Sequence, residues 1–338
     1  LKVIGYYAGN TVPFDSLELS RLTHIIYCFG KLCDNEFCLR NAADTVAIRE
    51  LVSLKEKYPE LKVMLSLGGW GGCATCSDVF SEEKGRSGFA MSVRTIADYF
   101  QVDGLDLDWE YPVVSGFPGH NRSPEDKNNF TALIAELRNS CRNDFLLSFA
   151  AGGYSGYIDS AIDWKSVMPM VDFVNVMSYD LVHGYSKVSG HHTPLYSTTA
   201  QVESTDHAVR LLRDNRVPDS KIVIGAAFYA RVFKIEEGHP VDLYQPCNFS
   251  HTFQYKSAHE FLGDENGFEE RFDTVAFAPY AVNRTKRLVA TYDNAISIAE
   301  KTRYVSNQNL GGIMFWQLCD DKSHGGLLDV IDGIMNAE

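Results

Sequence analysis

The sequence predicts an α/β fold, a (β/α)8 barrel with a small α+β insertion after its seventh strand, on three observations. Eight short apolar, β-branched segments bounded by turn residues recur along the 338 residues, most of them followed by a stretch of helical periodicity. Their near-continuous hydrophobicity suits strands buried on both faces, as parallel strands flanked by helices must be. No Gly-rich dinucleotide fingerprint follows the first segment, which leaves a doubly wound open sheet as the weaker alternative.

The segments fall at residues 3–7, 24–29, 62–68, 104–110, 145–151, 173–179, 222–228 and 313–317. Between them, Phe89, Val93, Ile96 and Phe100 share one helical face, as do Phe130, Leu133, Ile134, Leu137 and Cys141. The second of these helices has a start signal: Ser123 as cap, Pro124 in the first turn, and Glu125 and Asp126 at the positive end of the dipole. Asp293 reads as the cap of a later helix, ahead of Ile296. The stretch 234–290 is too long for an ordinary loop and has apolar and aromatic residues of its own, so it is expected to form an inserted subdomain walling one side of the cleft. Residues 1–233 and 291–338 would then make the barrel.

A chain with 45% hydrophobic and 22% charged residues can bury a large core, and no apolar run is long enough to span a bilayer. Its net charge of −13 disfavours nucleic acid and anionic membranes, which are bound through clustered Lys and Arg. Neither partner is expected, and the chain is read as a monomer without a cofactor. The cysteine number is even, and Cys33 with Cys38 and Cys73 with Cys76 are close enough for local disulfides, with free thiols as the other reading. A zinc site on Cys73 and Cys76 lacks a second Cys or His pair at metal-like spacing. The start at Leu1 fits a mature product after signal removal and a trimmed chain equally well, so by itself it settles nothing. The N-glycosylation sequons at Asn121, Asn129, Asn248 and Asn283 lean towards secretion, or the periplasm in a bacterium.

The fourth segment is the most informative: Asp103-Gly-Leu-Asp106-Leu-Asp108-Trp-Glu110-Tyr-Pro112. Side chains alternate along a strand, so Asp106, Asp108 and Glu110 point to one face and Leu105, Leu107 and Trp109 to the other. Acids crowded in a barrel interior must share protons, because like charges at close range push at least one pKa strongly upward. Glu110, at the carboxyl end of the strand and with the longest reach, is the expected general acid. The competing readings are a solvated acidic strand, which the interleaved Leu and Trp argue against, and a Mg²⁺ or Ca²⁺ site.

In this stretch the sequence resembles the family 18 glycoside hydrolases, the chitinase family, whose Asp-x-x-Asp-x-Asp-x-Glu signature is met at positions 103, 106, 108 and 110. Three more stretches resemble that family's motifs on its third, sixth and eighth strands: Ser66 to Trp70, Met177-Ser-Tyr179-Asp180, and Gly311 to Gln317. The resemblance implies a retaining, substrate-assisted hydrolysis of chitin or N-acetylglucosamine oligosaccharides. In it Glu110 protonates the glycosidic oxygen and the sugar's own acetamide attacks the anomeric carbon. Asp108 orients the acetamido N–H, Asp106 shares a proton with Asp108, and Asp103 supports the start of the strand. It further implies that Tyr179 meets the acetamido oxygen, that Asp180 and Met177 line the sugar site, that Trp316 underlies the sugar whose bond is cleaved, and that Trp70 lies further along the cleft. Where the family usually has Tyr-Gly-Arg, this chain has Tyr229-Ala230-Arg231, which leaves Arg231 as a plausible ligand residue on a backbone less free than glycine's.

Pyranose rings pack their C–H faces on flat aromatics, so strand-end aromatics are candidate platforms: besides Trp316 and Trp70, these are Tyr6, Phe29, Tyr111 and Tyr229. His183, His191 and His192 follow the sixth strand; they are read as loop packing or cleft lining rather than metal ligands, since adjacent histidines chelate one ion poorly. Two rival functions remain. A chitin-binding lectin on the same barrel would typically lack the acid, which is intact here, and an endo-β-N-acetylglucosaminidase acting on N-glycans would need a wider cleft.

Overall fold

In the computed structural model, which describes residues 1–9 and 13–337, the chain runs through fourteen strands. The first eight are β1 (Lys2–Tyr7), β2 (His24–Cys33), β3 (Glu36–Cys38), β4 (Lys62–Gly68), β5 (Gly104–Asp108), β6 (Leu146–Gly152), β7 (Phe173–Met177) and β8 (Ile222–Ala227). Then come β9 (Tyr229–Ile235), β10 (Cys247–Gln254), β11 (Glu269–Asp273), β12 (Ala278–Asn283) and β13 (Leu288–Thr291), and last β14 (Gly312–Trp316). Parallel pairing in the order β1-β14-β8-β7-β6-β5-β4-β2, with β1 also paired to β2, closes an eight-stranded barrel. β3 only folds back on the end of β2 as a hairpin. Among the described residues no helix is long and apolar enough to cross a membrane.

The pleat divides the barrel strands as their sequence alternation requires. Leu105, Leu107 and Trp109 join the large core between strands and helices, while Tyr6, Ile26, Met64, Phe173, Met177 and Met314 pack inside the barrel. Burying Leu105 and Leu107 contributes roughly 2 kcal/mol each, which helps to hold a strand whose other face is acidic. The helix Glu83–Phe100 buries Phe89, Val93 and Phe100, and Asp126–Ser140 buries Phe130, Leu133, Ile134 and Leu137, the faces that periodicity picked out. The second helix begins later than Ser123 and Pro124 signal. Asp126 turns inward instead, fully buried, and accepts from Ser77 Oγ and Ser123 N at 2.7 Å each, so tertiary contacts decide the start.

The insertion is a five-stranded antiparallel sheet, β10-β9-β13-β12-β11, with short helical turns at Tyr255–Ser257 and Ala258–Phe261. Each face carries its own apolar cluster, one around Val232, Phe253 and Ala281, the other around Phe233, Leu243 and Val289. Its first strand starts at Tyr229, directly after the barrel strand β8 and Phe228. Residue 234 therefore falls inside β9, and Tyr229 and Arg231 ride on the inserted sheet.

Cys73 and Cys76 are bonded to each other, and Cys33 and Cys38 lie side by side as free thiols, both within what the spacing allows. Two expectations change. Asn283 is buried and donates to the Asn266 carbonyl at 2.9 Å, so its sequon is closed to a glycan in the folded chain. Asp293 is not a helix cap. Asn294 caps the helix Ala295–Asn307, while Asp293 lies buried against Lys301 Nζ at 2.7 Å, because Lys301, eight residues on, is buried with it and needs a counter-charge.

Candidate active site

Register builds the acidic centre. Across neighbouring strands Ser66 pairs with Asp106 and Asp106 with Ser148, so both hydroxyls sit at the level of the inner carboxylate. Asp106 accepts from Tyr6 Oη at 3.0 Å and Ser66 Oγ at 3.1 Å on one oxygen, and from Ser148 Oγ at 2.6 Å and Asn175 Nδ2 at 3.2 Å on the other. Stripping a carboxylate of water costs several kcal/mol, and four hydrogen bonds to a charged acceptor, at roughly 1.5–3 kcal/mol each, are of the size needed to offset it. Burial still raises the Asp106 pKa, with these donors restraining the rise.

Asp108 has no such company. It is buried, its Oδ1 has no hydrogen-bond partner among the described residues, and burial followed by the charges of Glu110 and Asp106 pushes its pKa well above the usual range. Glu110, just past the end of β5, is pushed up to about 8, first by burial and then by the charge of Asp180, with a hydrogen bond to Tyr111 opposing. Burial thus raises the pKa of all three carboxyls, and Asp106 alone has four side-chain donors that oppose the rise. Asp103 is not part of the cluster. At the base of the strand it accepts from Lys55 Nζ at 2.7 Å and Val63 N at 2.8 Å, a structural role.

Past the end of β7, Asp180 takes a left-handed backbone (φ 54°), uncommon for a residue with a Cβ. Arg231 reaches it from β9 with Nε at 2.7 Å and Nη2 at 2.5 Å, a bidentate pair. Burial would raise the Asp180 pKa, but the adjacent His192 ring and the hydrogen-bonded Arg231 guanidinium outweigh it and hold the carboxyl below its ordinary range. Ala230 sits in extended β9, so replacing the family's glycine imposes no strain there. Tyr179 packs edge-on against Tyr229 at 6.2 Å, and Met177 lies in the inner cluster with Tyr179 alongside. Trp316 is half-buried and stacked on Phe29 at 5.6 Å and 14°, with Tyr6 tilted against it at 6.0 Å. Gly68, at φ 106°, has no room for a Cβ, which would meet the Asp108 carbonyl oxygen at 2.2 Å, and this close approach fixes the turn that presents Trp70. The Cys28–Phe29, Glu110–Tyr111 and Trp316–Gln317 peptide bonds are cis.

The fold thus gathers Glu110, Asp108, Asp106, Tyr6, Tyr179, Asp180, Met177, Arg231, Tyr229, Phe29 and Trp316 around one end of the barrel. Trp70 is more peripheral, 49% exposed, with its ring 5.6 Å from Phe117 and 6.2 Å from Tyr185. Tyr111 packs against Tyr157 at 5.3 Å and Tyr154 at 6.0 Å. Sequence reasoning missed Ser148, Asn175, Phe117, Tyr185 and the role of His192. A polar residue within a fully buried parallel strand was the available signal for Ser148 and Asn175; no local signal marks the others.

A buried carboxyl whose pKa burial raises, set beside an aromatic floor at the end of a barrel strand, is an arrangement able to supply a proton to a ligand with an apolar ring face. The model of the family described as "Glycosyl hydrolases family 18" matches residues 2–321, and the chain belongs to that family. It is 26% identical to chitinase A1 of Niallia circulans over 95% of this chain and 57% of that one. It is 29% identical to the oviduct-specific glycoprotein of Homo sapiens over 94% of this chain and 48% of that one. The chain thus spans about half the length of these curated relatives. Among solved structures, a family 18 N-acetylglucosaminidase from Paenibacillus barengoltzii superposes with a TM-score of 0.89 at 33% identity, covering 98% of this chain and 99% of that one. The cell-surface-expressed multi-modular chitinase ChiW from Paenibacillus sp. str. FPU-7 gives 0.92 at 30% identity, covering 100% of this chain and 43% of that one.

Proposed function

We propose that this protein is a retaining hydrolase of β-1,4-linked N-acetylglucosamine chains, acting through the substrate's own acetamide. The observation that carries the reading is the pair Asp108 and Glu110, both buried and both inclined to keep their protons, beside the Trp316 platform. Glu110 passes its proton to the glycosidic oxygen as the C–O bond breaks, and the acetamido carbonyl oxygen forms the new bond to the anomeric carbon, giving an oxazolinium ion. Asp108 Oδ1, which has no hydrogen-bond partner among the described residues, accepts from the acetamido N–H, so the positive charge forms beside a carboxyl group. Tyr179 Oη donates to the acetamido oxygen, and the Asp180–Arg231 pair meets a sugar hydroxyl. Water, deprotonated by the Glu110 carboxylate, then opens the ring from the opposite face, so two inversions leave the configuration retained and Glu110 reprotonated. Trp70, Tyr111 and Tyr229 line the cleft for the neighbouring sugars, and the inserted sheet forms one wall of it.

Chitin hexamer followed by NMR tests this. β-Anomeric products at early times support the reading, whereas an initial α anomer excludes the acetamide route. No turnover at all leaves a binding protein. Likeness to an N-acetylglucosaminidase over the full length of both chains favours a second reading, stepwise release of single sugars. Monomer accumulating from the outset would select it over dimers and trimers.

A pH profile gives a further expectation. Glu110 must be protonated to act as acid, so kcat should fall as pH rises through about 8, an apparent value belonging to the coupled Asp108–Glu110 pair. Stability follows the same sign. Between the ordinary value of 4.5 and about 8 the folded state binds the proton that the unfolded state has released, so raising the pH through this window weakens folding. A kcat that keeps rising to well above pH 8 would remove Glu110 as the acid.

A further inference from the structure

His192 is fully buried, and neither ring nitrogen has a hydrogen-bond partner among the described residues. Its Nδ1 faces Asp180 Oδ1 at 3.5 Å, the same oxygen that Arg231 Nε reaches at 2.7 Å. The ring lies against Tyr229, with centroids 5.2 Å apart. Its backbone is pinned on both sides: the N–H donates to Thr291 Oγ1 at 3.0 Å and the carbonyl accepts from Leu181 N at 3.0 Å. These bonds fix the backbone from which the buried ring reaches Asp180.

At this separation the tautomer decides the sign of the contact. A bare Nδ1 lone pair would face a carboxylate and repel it, while an Nδ1–H would share the charge with Arg231. Placing the proton on Nδ1 also leaves only an acceptor, Nε2, without a partner, rather than a buried donor. We infer that His192, as the neutral Nδ1–H tautomer, is a positioning residue for sugar binding: together with Arg231 it holds the Asp180 carboxylate, on its left-handed backbone, aimed into the cleft. The groups facing the ring are Asp180 from the end of β7, Tyr229 and Arg231 from β9, and Asp293 beyond β13. The two carboxylates favour an imidazolium and Arg231 opposes it, but burial outweighs both and lowers the His192 pKa, so the ring stays neutral. This inference rests on the reading of Asp180 as a sugar-binding residue.

The test combines a measurement on the free protein with kinetics. Long-range ¹H–¹⁵N correlation on histidine-labelled protein, with the His192 signals identified by their loss in His192→Gln, should show the Nδ1–H tautomer at about pH 7. An Nε2–H tautomer or an imidazolium there overturns the inference. His192→Phe keeps the flat ring and removes the donor, so KM for chitooligosaccharides should rise on the order of tenfold with kcat much less affected. His192→Gln restores a donor and should recover most of that loss, and thermal melts of both variants identify any failure to fold. Wild-type kinetics in a well-folded His192→Phe overturn the positioning role. If the wild type itself turns over no chitooligosaccharide, the proposed function fails, while the tautomer measurement still decides what His192 does.

Discussion

Glu110→Gln is expected to lower kcat on chitooligosaccharides by roughly 10³- to 10⁴-fold, the upper range for a positioned general acid, while leaving ligand affinity unchanged. The amide fills the same buried volume but has no proton to transfer to the leaving oxygen. Removing a charge that is mostly neutralised already should perturb the fold little, since burial holds Glu110 protonated up to about 8. Two measurements sharpen the test. Isothermal titration with a chitooligosaccharide should give the wild-type affinity, separating lost chemistry from lost binding. The first, bond-breaking step should suffer much less with a leaving group acidic enough to depart unprotonated. Activity within an order of magnitude of wild type on chitin oligomers would refute the assignment.

Lys301→Met is expected to destabilise the protein by about 3–5 kcal/mol, the cost of leaving one member of a buried ion pair uncompensated. Lys301 and Asp293 are both fully buried, 2.7 Å apart, and burial lowers the Lys301 pKa against the pull of Asp293. Asp293 also accepts from Ser297 Oγ at 2.7 Å, Ala227 N at 3.1 Å and Thr193 Oγ1 at 3.2 Å, and Lys301 Nζ donates to the Thr193 carbonyl at 2.8 Å. The pair thus ties the helix Ala295–Asn307 to the end of β8 and to the segment that carries His192. Against a total stability of about 5–15 kcal/mol such a loss is severe, and denaturant unfolding should show it directly. Replacing both residues, Lys301→Met with Asp293→Leu, should recover only part of it, because Ala227 N, Thr193 and Ser297 would lose their acceptor. A single variant within about 0.5 kcal/mol of wild type would show the pair to be dispensable.

The site was legible wherever its chemistry lies along one strand. Asp106, Asp108 and Glu110 at alternate positions announce an acidic inner face because the pleat has a period of two, whatever surrounds it. The Asp106 environment was less so: Ser66, Ser148 and Asn175 lie on three other strands, and only the barrel register sets them beside one carboxylate. Where the acidic residue stood outside a strand the local reading went wrong. Asp293 looks like a helix cap, yet its partner is Lys301, two turns further along the same helix, and the cap is Asn294.

The amino-acid sequence alone determined the eight barrel strands, the amphipathic helices between them and the identity of the candidate acid, since each follows from periodicity or from spacing within one segment. Only the tertiary structure decided that Asp106 is held by four side-chain donors while Asp108 Oδ1 has none among the described residues, that Asp180 is gripped by Arg231 from the inserted sheet, and that His192 lies buried beside it. The physical reason is that desolvation and charge pairing depend on which distant groups close packing brings within a few ångströms, and no local pattern in the chain encodes that.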